Sequence, residues 1–257
     1  MLKRKHDSHK GQNGKVLVVG GSEEYVGAPA LCALAALRTG ADLATIMSPE
    51  KTAFAINSLS PDLITVKLSG RTLQPSHYPE VIKQAEKADV VVIGPGLGQS
   101  KRASEAVKKV CEKIDAPKVI DADALKALEE VPENCVLTPH AKEFEALFNE
   151  KPTRQKVREN AGKNKVIVLK GFTDLISDGL DVKENHTGNS GMTVGGTGDV
   201  LAGVIAGLIA QKTPLMEAAL LGTEINGKAG DLLFEKYGYS FTASDLLAVI
   251  PNFVYNL

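Results

Sequence analysis

Short apolar runs alternate along the chain with stretches that are amphipathic or rich in alanine. The runs are dominated by Val, Ile and Leu, which is typical of parallel strands that are buried on both faces. They predict strands over residues 15–21, 41–48, 63–68, 89–94, 118–123, 134–140 and 165–170. The intervening stretches predict helices over residues 28–39, 77–87, 100–114, 141–148, 154–161, 199–211, 214–234 and 242–255.

Two further short runs, 173–177 and 181–186, flank Asp178 and Gly179, and this pattern predicts an antiparallel pair. The alternation of strand and helix predicts a single α/β domain with a mostly parallel sheet and helices on both faces. In such sheets ligands bind beyond the carboxyl ends of the strands. Polar residues and glycines recur at these predicted ends, namely Gly20, Gly21, residues 94–98, Asp121, Asp123, residues 138–140, Lys170 and Gly171.

The most unusual stretch is rich in glycine, spans residues 185–199 and ends in Gly-Gly-Thr-Gly-Asp. An uncharged apolar run follows at 200–210 and predicts a buried helix. The N-terminus of such a helix presents backbone N–H groups and a partial positive charge, so it is suited to bind phosphate. A carboxylate at this position, Asp199, is expected to accept a proton from an attacking hydroxyl. The alternative is that Thr197 and Asp199 only cap the helix.

Other candidate residues also have structural alternatives. His140 and Glu143 are three residues apart at the start of a helix, where they can face a ligand or Mg²⁺ together, or only begin the helix. Asp121 and Asp123 can bind ribose hydroxyls or a metal, although Asp123 can equally cap the helix that follows. Lys170 can contact phosphate or adenine, or it can be an ordinary solvated lysine.

The early glycine loops at 20–21 and 94–98 lack the spacing of the dinucleotide and P-loop fingerprints. They are either tight turns or places where a ligand approaches the backbone closely. Together with the glycine-rich helix start and its aspartate, they suggest phosphoryl transfer to the hydroxyl group of a small molecule.

Composition narrows the class of protein. The 30 basic and 31 acidic residues nearly balance and tryptophan is absent, so a nucleic-acid-binding surface is not indicated. Three widely spaced cysteines make neither a disulfide framework nor a zinc pattern, which favours a reducing compartment. The basic start at 3–5 is not followed by the apolar segment of a signal peptide, and the apolar run at 200–210 is too short to span a bilayer. We therefore predict a cytoplasmic protein that binds neither nucleic acid nor membrane.

Seven stretches resemble, in the same order, the motifs of the ADP-dependent NAD(P)H-hydrate dehydratases, a family of the ribokinase-like superfamily. They are Lys-Val-Leu-Val-Val-Gly-Gly-Ser at 15–22, Gly-Ala at 27–28, Arg-Thr-Gly-Ala-Asp-Leu at 38–43, Gly-Pro-Gly-Leu-Gly at 94–98, Asp-Ala-Asp-Ala-Leu at 121–125, Leu-Thr-Pro-His-Ala-Lys-Glu-Phe at 137–144 and Gly-Asn-Ser-Gly-Met-Thr-Val-Gly-Gly-Thr-Gly-Asp-Val-Leu-Ala-Gly at 188–203. The resemblance covers nearly the whole chain. It implies a single ribokinase-like three-layer sandwich over residues 1–257, without the epimerase domain that often precedes it.

The resemblance also implies an activity. The family repairs NADH and NADPH that have been hydrated on the dihydropyridine ring. With Mg²⁺ as the metal, ADP or ATP would phosphorylate the ring hydroxyl of the S-form of the hydrate, and ADP would yield AMP. Elimination of phosphate would then restore NADH or NADPH. A homo-oligomer, such as a tetramer, is implied as well.

Site residues are carried over from the resemblance one by one. Asp199 would be the catalytic base and, with Ala28, Gly98 and His140, would line the hydrated cofactor. Glu143 would lie beside Mg²⁺. The adenine nucleotide would be bound by Lys170, Gly171, Phe172, Thr173, Asp174, Asn189, Gly196, Thr197 and Gly198.

Two other functions share some of these features. A kinase of the same superfamily, acting on a vitamin precursor such as hydroxyethylthiazole or a pyridoxine-like alcohol, would use the same glycine-rich loop and aspartate. Its phosphorylated product would be stable. A non-catalytic nucleotide-binding protein would bind ligands without turnover, and Asp199 would be dispensable in it.

Overall fold

The computed structural model describes residue 4 and residues 6–255, and nine strands of this part form one central sheet. The strands are β1 (Lys15–Val19), β2 (Leu43–Pro49), β3 (Ile64–Leu68), β4 (Val90–Ile93), β5 (Lys118–Ile120), β6 (Cys135–Leu137), β7 (Lys165–Leu169), β8 (Asp174–Ser177) and β9 (Val182–Asn185). Their order is β3-β2-β1-β4-β5-β6-β7-β8-β9. Strands β1 to β7 pair in parallel, whereas β8 and β9 pair antiparallel at one edge. Both the mostly parallel sheet and the antiparallel pair are confirmed. Lys3 and Lys5 of the basic start lie outside the described residues.

Helices cover both faces of the sheet. They are α1 (Gly27–Arg38), α2 (Glu50–Leu59), α3 (Tyr78–Ala85), α4 (Lys101–Lys113), α5 (Asp123–Ala127), α6 (Ala141–Phe148), α7 (Arg154–Asn160), α8 (Thr197–Ala210), α9 (Leu215–Tyr237) and α10 (Ala243–Val254). One apolar core joins α1, α8, α9 and α10 to the sheet, and a second core joins α3 to α6 to its other face. The sheet and the helical layers packed on its two faces form the three-layer sandwich that we predicted.

Helix α8 is the most deeply buried of these helices. Every residue from Val200 to Ala210 is buried, because this helix lies between the sheet and the neighbouring helices α1 and α9. A helix that is apolar on all sides belongs in a core. Its N-terminus, Thr197 to Asp199, is therefore held rigidly where the glycine-rich loop enters the helix.

The helix α2 was not predicted. Strand β2 ends at Pro49 and α2 begins at Glu50, so no glycine or polar turn marks the boundary between them. Only Thr52, Ala53 and Ile56 of this helix are buried, and such a narrow apolar stripe gives a weak periodic signal.

The strand predicted at 118–123 is shorter than expected. β5 ends at Ile120, and the chain turns through Ala122, whose φ of +51° is left-handed, directly into α5. Because β5 ends early, Asp121 and Asp123 lie beyond its carboxyl end.

The three cysteines of the chain lie in the core. Cys32, Cys111 and Cys135 are buried and free. Burial raises the pKa of the Cys111 and Cys135 thiols to about 12, so they are poor nucleophiles. Within the described residues, no helix has both the length and the apolar character needed to cross a bilayer.

Candidate functional site

Three neighbouring strands bring polar side chains together at their carboxyl ends. Asp121, which follows β5, is 2% exposed, and its Oδ1 accepts a hydrogen bond from the Thr138 hydroxyl at 2.7 Å. The same oxygen lies 3.1 Å from Nζ of Lys170, which follows β7. A buried carboxylate is stable only when it is hydrogen-bonded and paired, and Asp121 meets both conditions. The polar residues predicted at the ends of these three strands therefore form one cluster.

Asp199, in the first turn of α8, lies within the electrostatic reach of this cluster. Burial, together with the negative charges of Asp121 and Asp123, raises the pKa of Asp199 to about 7 against the opposing effect of Lys170. A carboxyl group with a pKa near neutrality can take up and release a proton at physiological pH. This is the protonation behaviour expected of a general base.

Lys170 supplies the positive charge of the site. Burial by itself would lower the pKa of Lys170, but the carboxylates of Asp121, Glu143 and Asp199 raise it above its usual value. The side chain therefore stays cationic. Its Nζ lies 3.3 Å from the point that a Cβ on Gly198 would occupy, beside the N-terminus of α8. A fixed cation next to helix N–H groups is suited to bind an anion such as phosphate. The solvated alternative for Lys170 is wrong.

The start of α8 is not closed by a side chain. Gly196 is the N-cap residue and makes no side-chain capping bond. The hydroxyl of Thr197 instead donates to the carbonyl oxygen of Met192 at 2.8 Å. Gly196 has a φ of +100°, and a Cβ there would lie 2.7 Å from Cδ1 of Leu31. The capping interpretation of Thr197 and Asp199 is therefore wrong, and the helix N-terminus remains available to a ligand.

A cavity of about 350 Å³ opens beside this helix start. Seven of the nine predicted nucleotide-binding residues line it, namely Lys170, Gly171, Phe172, Asp174, Asn189, Thr197 and Gly198. The predicted residues Thr173 and Gly196 are adjacent in sequence but do not line it. The cavity is also lined by Thr187, Gly188, Ser190, Met192, Thr193, Leu201, Thr223, Asn226 and Gly227.

Helix α9 forms one wall of the cavity, and sequence reasoning missed this wall. Asp231 of α9 accepts hydrogen bonds at 2.9 Å from both the Gly188 N–H and the Asn189 side chain. It thereby fixes the glycine-rich loop against the helix. Thr223 and Asn226 of α9 are three residues apart and both line the cavity, and this pair of uncharged polar residues was the available signal.

Two predicted nucleotide-binding side chains already have partners. The Asn189 Oδ1 accepts a hydrogen bond from the Gly191 N–H at 2.9 Å, so the side chain holds the glycine-rich loop in place. Asp174 accepts from the Gly171 N–H at 2.9 Å and from the Asn185 amide at 3.0 Å. Burial raises the pKa of Asp174, and these two hydrogen bonds oppose the shift. Both residues shape the cavity wall.

The predicted substrate residues Ala28 and Gly98 lie around the loop that follows β4. A Cβ on Gly96 would come within 3.3 Å of the Ala28 Cβ, and the Gly98 N–H donates to Asp123 Oδ2 at 3.0 Å. Asp123 therefore holds this loop. The alternative in which Asp123 caps the following helix is wrong, because α5 begins at Asp123 and has no side-chain cap.

The loop after β4 requires glycine for a steric reason. Gly94 has a φ of +132°, and a Cβ there would lie 1.7 Å from the carbonyl oxygen of Asp121. No L side chain is compatible with this approach. The tight turn is therefore real, and it brings the loop against the end of β5.

His140 and Glu143 form a reciprocal helix cap. The His140 N–H donates to Glu143 Oε2 at 3.0 Å, and the Glu143 N–H donates to His140 Nδ1 at 3.2 Å. His140 and Glu143 therefore do begin the helix, which is the role that we gave as the alternative to ligand binding. The His140 side chain is nevertheless half-exposed, and a backbone bridge pairs His140 with Lys170 next to the charged cluster.

No group of three or more His, Cys, Asp or Glu side chains suited to a metal comes together within the described residues. Mg²⁺ commonly uses one or two carboxylates together with substrate phosphates and water, so a dedicated protein cage is not required. Glu143 supplies one carboxylate close to Lys170, which suits a metal that is held mainly by the phosphates of a ligand.

Comparison with known proteins agrees with the geometry. The family model described as NAD(P)H-hydrate dehydratase matches residues 16–252. The bifunctional NAD(P)H-hydrate repair enzyme Nnr of Pyrobaculum aerophilum is 45% identical over 98% of this chain and 52% of its own length. The chain spans about half the length of the bifunctional relatives it matches. The ADP-dependent (S)-NAD(P)H-hydrate dehydratase of Cenarchaeum symbiosum is 39% identical over 97% of this chain and 91% of its own.

A solved structure shows the same fold. The ADP/ATP-dependent NAD(P)H-hydrate dehydratase from Bacillus subtilis, co-crystallised with ATP and Mg²⁺, has a TM-score of 0.83 and 28% sequence identity. The match covers 99% of this chain and 93% of that chain. The sheet and its two helical layers are thus ribokinase-like, as the sequence motifs implied. With a family model that matches nearly its entire length, the chain belongs to the NAD(P)H-hydrate dehydratase family.

Proposed function

We propose that this chain repairs nicotinamide cofactors by ADP-dependent dehydration of the S-form of hydrated NADH and NADPH. The observation that carries the proposal is Asp199, whose pKa is raised to about 7 by burial and whose helix start adjoins the Lys170 ammonium. A base, a cation and a helix N-terminus at the edge of one cavity are the parts that phosphoryl transfer to a hydroxyl requires. The printed names of the dehydratases from Cenarchaeum symbiosum and Bacillus subtilis support it.

In the proposed reaction, Asp199 accepts the proton of the ring hydroxyl while that oxygen attacks the terminal phosphorus of ADP. The new O–P bond replaces the bond to AMP, which leaves. The ring nitrogen then donates its lone pair, the C–O bond breaks and phosphate departs, which leaves an iminium. Loss of a proton from the adjacent ring carbon, taken up by the departing phosphate or solvent, forms the C=C bond and restores the reduced nicotinamide. Phosphate is a far better leaving group than hydroxide, so phosphorylation makes the elimination feasible. Asp199 finally returns its proton to solvent.

The other residues have supporting roles in the proposal. Lys170 and the backbone N–H groups of Gly196, Thr197 and Gly198 stabilise the negative charge of the transferred phosphoryl group. Mg²⁺, when bound to the nucleotide, supplies further charge neutralisation, with Glu143 as the nearest proposed protein contact. The remaining proposed nucleotide contacts are Gly171, Phe172, Thr173, Asp174 and Asn189, and the proposed substrate contacts are Ala28, Gly98 and His140.

The wider proposals concern the setting of the enzyme. We propose that residues 1–257 act as one dehydratase unit in the cytoplasm, as a homo-oligomer such as a tetramer. We further propose that the unit binds neither nucleic acid nor membrane, because its charge is balanced at 30 basic and 31 acidic residues. Light scattering of the purified protein measures the oligomeric state directly.

The decisive test is absorbance in the reduced-nicotinamide band. Purified protein is mixed with hydrated NADH or hydrated NADPH, Mg²⁺ and either ADP or ATP. Return of the band with one nucleotide establishes the repair activity and identifies the phosphoryl donor. If neither nucleotide restores the band, the dehydratase proposal fails. Accumulation of a stable phosphorylated alcohol would then point to the vitamin-precursor kinase.

The pH profile of turnover is a further expected result. Asp199 must be deprotonated to act as a base, and its pKa is about 7. Turnover at saturating substrate should rise roughly tenfold per pH unit below that value and level off above it. Circular dichroism at each pH controls for unfolding. A flat profile between about pH 5 and 8 contradicts the assignment of Asp199 as the base.

A further inference from the structure

One buried amide in the wall of the cavity has no partner. Asn226 of α9 is 5% exposed and lines the cavity. Its Oδ1 makes no hydrogen bond. In the described part of the chain, the other buried side-chain atoms without a partner belong to Ser22, Ser48 and Thr52, and none of these three lines the cavity. A buried polar group without a partner lowers stability, so its retention calls for an explanation.

The neighbouring polar groups cannot provide the missing bond, because they are already engaged. The Thr223 hydroxyl donates to the Ala219 carbonyl at 2.5 Å, and the Thr187 hydroxyl donates to Asn185 Oδ1 at 2.8 Å. Gly227, next to Asn226, packs so closely that a Cβ would lie 2.1 Å from Oγ1 of Thr187. The backbone around Asn226 is thus fixed. Its side chain lines the cavity, and in the observed rotamer its Oδ1 is buried from solvent.

The rest of the cavity fits a nucleotide. Lys170 and Gly198 line the part beside the α8 N-terminus, where the proposed phosphates lie. Met192 and Leu201 line it with apolar surface, which suits the faces of a planar base. Two side-chain amides line the cavity, and that of Asn189 is already bonded to Asp231 and the Gly191 N–H, so Asn226 is the one left to read the edge of a base.

We propose that Asn226 selects the adenine base by pairing with its 6-amino group; this inference rests on the proposed function, because it places the nucleotide in this cavity. A side-chain amide carries an acceptor oxygen and a donor NH₂ side by side. Adenine presents the complementary pair, since its 6-amino donor adjoins a ring-nitrogen acceptor. Rotation about χ2 exchanges the two ends of the amide, so Oδ1 can turn toward the amino group.

The test compares ADP with purine riboside 5′-diphosphate, which carries hydrogen in place of the 6-amino group. Isothermal titration calorimetry measures the affinity of both for the wild type, for Asn226→Leu and for Asn57→Leu. Asn57 lies on α2, away from the cavity lining, and gives the same substitution as a matched control. At position 226 leucine keeps the branched shape of asparagine, with a larger volume, and removes an unpartnered polar atom. Circular dichroism of each variant verifies that the fold persists.

We expect the wild type and Asn57→Leu to bind ADP roughly tenfold more tightly than the analogue, which is the effect of about one hydrogen bond. Asn226→Leu should bind the two with equal affinity. The role of Asn226 is overturned if the wild type lacks this preference, or if the preference survives in Asn226→Leu. In both cases the binding of ADP leaves the proposed function standing. If the wild type binds neither ADP nor ATP, the proposed function fails and this inference fails with it.

Discussion

Replacing Asp199 by asparagine is expected to lower turnover of hydrated NADH by about 10²–10⁴-fold, the usual contribution of a general base. Asparagine keeps the shape of the side chain but cannot accept the hydroxyl proton. Because no other carboxylate lies in the first turn of α8, we expect no substitute base from that helix. The measurement is the rate at which the reduced-nicotinamide absorbance returns, with ADP affinity determined in parallel by calorimetry.

The affinity for ADP should change by less than about threefold, because the proposed phosphate contacts are Lys170 and backbone N–H groups. Asp178→Asn, in the turn between β8 and β9, is the matched control and should keep full turnover. Equal turnover in Asp199→Asn and wild type would eliminate the base role. It would also favour a protein that binds nucleotide without catalysis.

The same substitution should not destabilise the fold at high pH. The folded-state pKa of Asp199 is about 7 against an ordinary value of 3.8, so the native state binds its proton more tightly than the unfolded state does. Stability contributed by this group is therefore lost as the pH rises from about 4 through 7. Asparagine removes that loss, and thermal melting at pH 8 should show Asp199→Asn at or above the wild type.

The second large effect is on stability and comes from Gly203→Ala. Gly203 lies in the middle of α8 where it crosses α1, and an added Cβ would come within 2.1 Å of the Cys32 carbonyl oxygen and 2.7 Å of the Ala35 Cβ. The nearest contact is backbone, which cannot rotate away. We expect the free energy of unfolding to fall by about 2–3 kcal/mol, because overpacking outweighs the helical preference for alanine of about 1 kcal/mol.

Gly27→Ala is the control for this prediction. Gly27 is also helical, as the first residue of α1, but a Cβ there meets nothing within 4 Å. Urea denaturation should show Gly27→Ala within about 1 kcal/mol of the wild type. Equal stability of the two variants would show that α1 and α8 can move apart at little cost. The catalytic helix start would then not be held as rigidly as we infer.

Some features were predictable because they depend only on local chemistry. Uninterrupted runs of Val and Ile such as 89–94 form buried parallel strands, and the apolar run at 200–210 can only be a core helix. The carboxyl ends of parallel strands share one edge, so residues such as Asp121 and Lys170 could be expected near one another. The glycine-rich loop and Asp199 were recognisable from residue type and order alone.

Tertiary structure decided how these residues are paired and how they titrate. Asp121 binds Lys170 across 49 positions of sequence, and no local pattern encodes that contact. The raised pKa of Asp199 comes from burial and from neighbouring charges that only folding brings together. Likewise, the sequence left open whether Asp123 binds a ligand or caps its own helix, whereas in the structure the loop after β4 approaches closely enough for the Gly98 N–H to donate to its carboxylate.

The cavity wall formed by α9 could not be predicted from local sequence patterns either. In the sequence, Asp231 and Asn226 are ordinary polar positions of a long helix. Only the packing of that helix against the glycine-rich loop brings Asp231 to the loop and Asn226 to the cavity. The sequence by itself determined most of the elements, their layering and the residue types at the strand ends, because these follow from hydrophobic periodicity and backbone preference. The tertiary structure decided which side chains form ion pairs, shift each other's pKa or line the same cavity. These interactions join segments that are distant in sequence, so their energies arise only when the chain is folded.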